Sequence, residues 1–82
     1  MGTSLLKAAI NRQLDDGAKS ITRALLVAAG GGDWTKIKTA LAEWEGKGYL
    51  RILKDPEFAK DEDVCIEMLK YIDRVGPAPN WP

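Results

Sequence analysis

The side chains of this chain that could do chemistry are lysines, carboxylates and hydroxyls, because histidine is absent and cysteine occurs once. Without histidine there is no Ser-His-Asp triad, and the commonest proton shuttle and metal ligand is missing. One cysteine cannot close a disulfide, and Cys65 stands among Val64, Ile66 and Met68, which predicts a small buried hydrophobe in a reducing compartment. No constellation of lysines or carboxylates supports catalysis, so we predict that the protein is not an enzyme and holds no metal and no cofactor.

Two short motifs are similar to ligand-binding loops but lack the residues that such loops need. Glycines 30–32 do not fit the G-x-x-x-x-G-K-[ST] pattern, and Asp33 follows them where an anion would need bare amides. The acidic residues 61–63 lack the alternating carboxylates, the glycine and the terminal glutamate of a calcium loop. We therefore predict neither a nucleotide site nor a calcium site.

The remaining candidates for a binding surface are the lysines and threonines between residues 34 and 46. They lie in a segment whose apolar residues recur every three or four positions. This apolar stripe consists of Trp34, Ile37, Leu41 and Trp44. At about 100° per residue, the opposite face of the predicted helix carries Thr35, Lys36, Thr39, Ala42 and Glu43, with Lys38 on its flank. We expect both indoles to pack in the core and the polar face either to bind a partner or to be an ordinary solvated surface.

The charges are unevenly distributed, although 12 Lys and Arg balance 12 Asp and Glu. Residues 1–54 hold nine basic and five acidic groups, a net charge of +4, and residues 55–82 hold three basic and seven acidic groups, a net charge of −4. A dipolar molecule of this kind could present its first half to phosphate and turn its last third away.

Two further helices are predicted before the one that carries the lysines. Residues 4–14 form one helical stripe, with Ser4 placed to cap it, and Ser20 is a candidate cap for a second helix. The stripe of this second helix consists of Ile21, Ala24, Leu25 and Ala28. Glycines 30–32 stop it and open a tight turn, and Asp33 is the natural N-cap of the third helix.

The sequence allows more than one secondary structure in the second half of the chain. Residues 49–53, Tyr-Leu-Arg-Ile-Leu, suit a short strand, and residues 54–60 suit a loop. Residues 61–75 fit a strand, in which alternating apolar residues pair with 49–53 in a hairpin with a long tip. They also fit a helix, whose stripe would be Cys65, Met68, Leu69 and Ile72 and whose first turn would be acidic. We favour the helix.

The run from Leu41 to Ile52, Leu-Ala-Glu-Trp-Glu-Gly-Lys-Gly-Tyr-Leu-Arg-Ile, resembles the end of the recognition helix and the start of the wing in winged helix-turn-helix domains. The resemblance covers about residues 4–54. With it, we expect a mainly α, small α+β fold: a three-helix helix-turn-helix core with a short strand or wing and a C-terminal helix. Residues 1–76 would form this winged-helix-like domain, and residues 77–82, with three prolines, would form an irregular tail.

In that superfamily the recognition helix enters the major groove, so the resemblance implies binding of duplex DNA, as a transcriptional regulator or as the DNA-binding domain of a replication or partition protein. The candidate DNA-binding residues are Thr35, Lys36, Lys38, Thr39, Lys47, Arg51 and Lys54. The helix residues could contact phosphate or base edges, while Arg51 and Lys54 could grip the backbone at the base of the wing. Glu43 would repel phosphate, which confines the contact to the N-terminal half of the helix.

The alternative is a protein–protein interaction or oligomerisation module on a winged-helix-like scaffold, which a net charge of zero suits better than it suits DNA binding. Residues 64–75 with Phe58 would then form the contact, and Trp81 is the best candidate for a partner contact. A homodimer is compatible with DNA binding, since helix-turn-helix proteins usually read two half-sites, and the chain could belong to a larger protein. No apolar run reaches the ~18 residues of a membrane span, so we expect a cytoplasmic protein with no membrane contact.

Overall fold

Three helices and a three-stranded antiparallel sheet make up the described part of the chain, which is residues 2–73 of the computed structural model. The helices are α1 (Gly2–Asp15), α2 (Arg23–Gly30) and α3 (Trp34–Gly46), and the strands are β1 (Ser20–Thr22), β2 (Leu50–Ile52) and β3 (Val64–Met68). The result is a small α+β domain with an apolar core between helices and sheet. Fully buried members of this core include Leu6, Ile10, Leu26, Ile37 and Ile66.

Helix α1 confirms the helix predicted for residues 4–14, and its stripe of Leu6, Ile10 and Leu14 is at most 1% exposed. The helix begins at Gly2, so Ser4 lies inside the first turn and the prediction that Ser4 caps the helix is wrong. A capping residue is a weak boundary signal when the residues before it can also adopt helical dihedrals.

The start of the second helix was also predicted wrongly. Residues 20–22 form β1, which pairs antiparallel with β3, and Thr22, not Ser20, occupies the N-cap position of α2. The inward face of α2 is centred on Leu26, whereas Ala24 and Ala28 are exposed. Residues 24–29 are all apolar, so their sequence fits a helix in any rotation, and packing against α1 and α3 selects the buried face.

The turn between α2 and α3 follows the prediction closely. Gly31 and Gly32 have positive φ angles of 70° and 77°, and the Gly31 N–H donates to the Val27 carbonyl as a helix C-cap. Asp33 caps α3, since its Oδ1 accepts a hydrogen bond from the Lys36 backbone N–H at 3.2 Å. Gly30 lies so close to α3 that a Cβ atom there would meet Ile37 Cδ1 at 2.5 Å.

Helix α3 buries most of the predicted stripe. Ile37, Leu41 and Trp44 are buried, which confirms the core position of one indole. Trp34 is only half-buried: it packs against the edge of the core, and the Arg23 guanidinium lies over its ring at 5.0 Å from the centroid. The expectation that both indoles are core residues is therefore correct for Trp44 alone.

Residues 64–68 are a strand, so the helix favoured for residues 61–75 is wrong and the hairpin alternative is confirmed. Strand β3 pairs with β2 in the register Leu50 to Met68 and Ile52 to Ile66. It also pairs with β1, which makes β3 the central strand of the sheet. A helix at 61–75 would leave the backbone groups of both β1 and β2 without partners, and this pairing outweighs the local helical spacing.

After β3 the chain is fastened to α1 by polar side chains. Asn11 exchanges two hydrogen bonds with the backbone of Ile72, at 2.9 and 3.0 Å, and the Tyr71 hydroxyl donates to Asp15 at 2.7 Å. The described chain ends at Asp73, which has a positive φ of 56°. The predicted tail at residues 77–82, with Trp81, lies outside the described residues, as does the boundary at residue 76.

Candidate nucleic-acid interface

The outer face of α3 carries the residues that the helical wheel predicted. Thr35, Lys36, Thr39 and Glu43 are all exposed. The Thr39 hydroxyl donates a hydrogen bond to the Thr35 carbonyl at 2.8 Å, so the hydroxyl proton already has an acceptor within α3. Thr39 can therefore accept a hydrogen bond or offer its methyl group, but it donates to phosphate only if this bond opens.

Lys36 is the candidate cation that keeps its charge available. Its side chain is exposed, and no ion pair within residues 2–73 involves it. It follows the N-cap Asp33 by one turn and lies in the N-terminal half of α3. This is the half of a recognition helix that usually meets base edges in helix-turn-helix docking.

Lys38, on the flank of α3, is held by the loop between β2 and β3. Its ammonium forms ion pairs with Glu57 and with Asp55, the latter at 3.4 Å, and lies over the Phe58 ring at 5.4 Å from the centroid. The hydrogen bond to Glu57, aided by Asp55, raises the pKa of Lys38 above its ordinary value. A phosphate that binds this ammonium would compete with both carboxylates.

The three remaining predicted cations also have carboxylate partners. Lys47 pairs with Glu43 at 3.3 Å, Arg51 with Glu67 at 3.4 Å and Lys54 with Asp63 at 3.1 Å. The hydrogen bond to Glu43 raises the pKa of Lys47. The pKa of Asp63 is lowered, first by the Lys60 backbone N–H and then by Lys54. These pairs are exposed, so salt screens them and a phosphate could compete for the cations.

An open cleft of about 390 Å³ between α1 and α3 borders the exposed face of α3. Thr3 and Lys7 of α1 line it together with Thr35, Lys36 and Thr39 of α3. Sequence reasoning missed both α1 residues, because only the packing of α1 against α3 brings them to this face. At the cleft, Lys7 donates to Asp73 at 3.0 Å, which lowers the pKa of that carboxyl.

The loop between β2 and β3, residues 53–63, forms the hairpin tip, and it is fixed from the side of α2 as well. The Arg23 Nε donates to the Pro56 carbonyl at 2.8 Å, and its Nη1 lies 2.6 Å from Asp61 Oδ1. The tip exposes Phe58, at 80%, and Leu53, at 53%. The sequence showed that the tip is acidic, but nothing in it indicated that the tip would reach Lys38.

Residues 2–73 contain no cluster of three or more His, Cys, Asp or Glu side chains that could hold a metal ion. No helix in the same range combines the length and the apolar character needed to cross a bilayer. Comparisons of the chain with protein-family models, with curated proteins and with solved structures found no significant match.

Proposed function

We propose that this protein is a winged-helix domain that binds duplex DNA without catalysing a reaction, with the N-terminal half of α3 as the recognition element. A regulator of transcription and the DNA-binding part of a replication or partition protein both fit this activity. Within such a protein, the role of this domain is to position α3 in the major groove.

The element order supports the fold assignment. Two helices joined by a glycine turn, α2 and α3, are followed by a two-stranded hairpin at the place where the resemblance predicts a wing. Helix α1 packs against both α2 and α3, which completes a three-helix core.

The observation that carries the functional proposal is the surface of α3 between residues 35 and 39. It combines two exposed threonines with Lys36, a cation without a carboxylate partner among the described residues. A rigid helix that presents hydroxyls and a lysine on its exposed face suits phosphate and base-edge contacts better than a protein interface, whose core is usually apolar.

The test is the retention of a labelled random duplex of about 30 base pairs at roughly 50 and 200 mM salt, because phosphate contacts weaken as the salt concentration rises. Lys36→Glu should reduce binding at the lower salt concentration to background. Lys70→Glu is the matched control, since Lys70 is exposed on the segment after β3 and makes no ion pair within residues 2–73. Equal binding by the two variants would remove α3 from the interface.

A protein-interaction module is the second candidate, and the hairpin tip favours it. Four of the five candidate DNA-binding cations are paired with carboxylates, and Phe58 is 80% exposed. The contact surface expected at residues 64–75 needs revision, because Cys65, Ile66 and Met68 are buried. If no duplex is retained at low salt, sedimentation of the wild type and of Phe58→Ser tests whether the tip mediates self-association.

A further inference from the structure

The ammonium of Lys38 has three partners on the hairpin tip. An ammonium has three N–H groups, and Lys38 Nζ faces the Glu57 carboxylate, the Asp55 carboxylate and the face of the Phe58 ring. All three partners come from the hairpin tip within four consecutive residues, 55–58. The tip therefore places two carboxylates and an aromatic ring beside one cation of the proposed recognition helix.

Contacts that do not involve Lys38 also fix the position of the tip. Arg23 donates to the Pro56 carbonyl and pairs with Asp61, while the backbone N–H groups of Arg23 and Ala24 donate to the Asp63 and Asp61 carbonyls at 3.0 and 3.1 Å. Pro56 itself is buried. The two carboxylates are thus delivered to α3 by contacts with α2, so they would stay beside α3 even when Lys38 turns toward another anion.

The Asp55 and Glu57 carboxylates beside Lys38 would weaken the binding of any phosphate that approaches α3. They occupy the cation that a backbone phosphate would use, and their own charges repel the phosphate at short range. The elevated pKa of Lys38 is consistent with an ammonium that interacts more strongly with these carboxylates than with water.

We propose that Asp55 and Glu57 are an internal competitor for phosphate: the hairpin tip occupies Lys38 and restrains the affinity of α3 for DNA. This inference rests on the proposed DNA-binding function and assigns a regulation to the same surface. It makes the tip an autoinhibitory element rather than a wing that grips the backbone.

The experiment compares the wild type with the double variant Asp55→Asn/Glu57→Gln on the labelled random duplex. Asparagine keeps the Oδ1 acceptor that caps the Glu57 backbone N–H at 3.0 Å, so the turn is retained. The control Asp16→Asn/Glu62→Gln also removes two negative charges, but from exposed residues that form no ion pair within residues 2–73. A third protein carries Lys38→Gln in the Asp55→Asn/Glu57→Gln background.

The tip variant should bind more tightly than the control. One added phosphate contact steepens the salt dependence, so its advantage over the control should grow about 3.5-fold between 200 and 50 mM salt. The gain should disappear in the protein that also carries Lys38→Gln. A gain equal to that of the control, or one that survives Lys38→Gln, overturns the internal competitor while salt-sensitive binding by the wild type leaves the DNA function standing. Absence of binding by every variant at low salt overturns both.

Discussion

Among single residues, Asn11 illustrates how one polar side chain can define the end of the described domain. It is only 6% exposed and lies on the buried side of α1 near Ile10 and Leu14. Its amide satisfies both backbone groups of Ile72. The side chain therefore acts as a substitute for a strand partner and fixes the segment that follows β3.

Replacing Asn11 with Ala should destabilise the protein by about 2–4 kcal/mol, because both Ile72 groups and the space of the amide are left without partners in the interior. Urea unfolding followed by tryptophan fluorescence measures the change. Gln13→Ala, two residues further along α1 and without a side-chain hydrogen bond in the described residues, should change the stability by less than about 0.5 kcal/mol. Similar values for both variants would show that the Asn11 bonds contribute nothing.

Gly30 and Gly46 form a second contrast at this scale, since each is the last residue of a helix. A Cβ at Gly30 would meet Ile37 Cδ1 and Cγ1 at 2.5 Å, and Ile37 is 1% exposed, whereas nothing lies within 4 Å of the corresponding position at Gly46. We expect Gly30→Ala to destabilise by about 1–3 kcal/mol through overpacking. Gly46→Ala should be neutral or stabilising by up to about 1 kcal/mol. Urea unfolding measures the free energy of unfolding of both variants. An unchanged value for Gly30→Ala would contradict the close approach of α2 and α3.

At the scale of elements, the segment after β3 is tied to α1 by an ion pair whose strength depends on pH. Asp73 accepts hydrogen bonds from Lys7 at 3.0 Å and from the Tyr49 hydroxyl at 3.3 Å. The bond from Lys7 holds the pKa of Asp73 below its ordinary value of 3.8. A carboxyl with a lower pKa in the folded state stabilises the fold above its unfolded pKa, and this stabilisation is lost as the pH falls through the folded pKa.

The variant Asp73→Asn should therefore melt at a lower temperature than the wild type near neutral pH, and the gap should close as the pH falls below 3.8. Asparagine tolerates the positive φ of 56° at this position, so the backbone is not newly strained. Melting curves of both proteins, recorded from neutral pH to below 3.8, measure the gap. Asp16→Asn is the control, and a gap that is constant with pH would show that the Lys7 contact is not the cause.

The helices and the sheet differ in how far the sequence predicted them. Helix α1, the glycine turn, the Asp33 cap and α3 follow from signals within a few residues, and all are confirmed. Strand β1 does not, because three residues of strand carry little periodicity and its partner residues in β3 lie more than 40 residues away in the chain. The same segment, residues 64–68, fitted both a helix and a strand until its neighbours on either side were known.

At the scale of the molecule, zero net charge conceals a surface on which six of the eleven Lys and Arg residues within residues 2–73 pair with carboxylates. With one unpaired candidate cation, Lys36, and competition at Lys38, the wild type should show a slope of log affinity against log salt of about −1 to −2. Titrations of labelled duplex between roughly 50 and 200 mM salt measure it. A slope near −4.5, as five phosphate contacts would produce, would mean that the exposed pairs open freely on DNA and that the tip does not compete.

The sequence by itself determined the features that depend on neighbouring residues. These are the two long helices, the turn between α2 and α3, the exposed threonines and Lys36 on α3, and the burial of Cys65, whose thiol pKa is raised by that burial. Only the tertiary structure decided which segment became the central strand and which lysines stayed available. Strand pairing and the ion pairs of Lys38 with Asp55 and Glu57 join groups that are distant along the chain. The periodicity of neighbouring residues cannot predict such contacts.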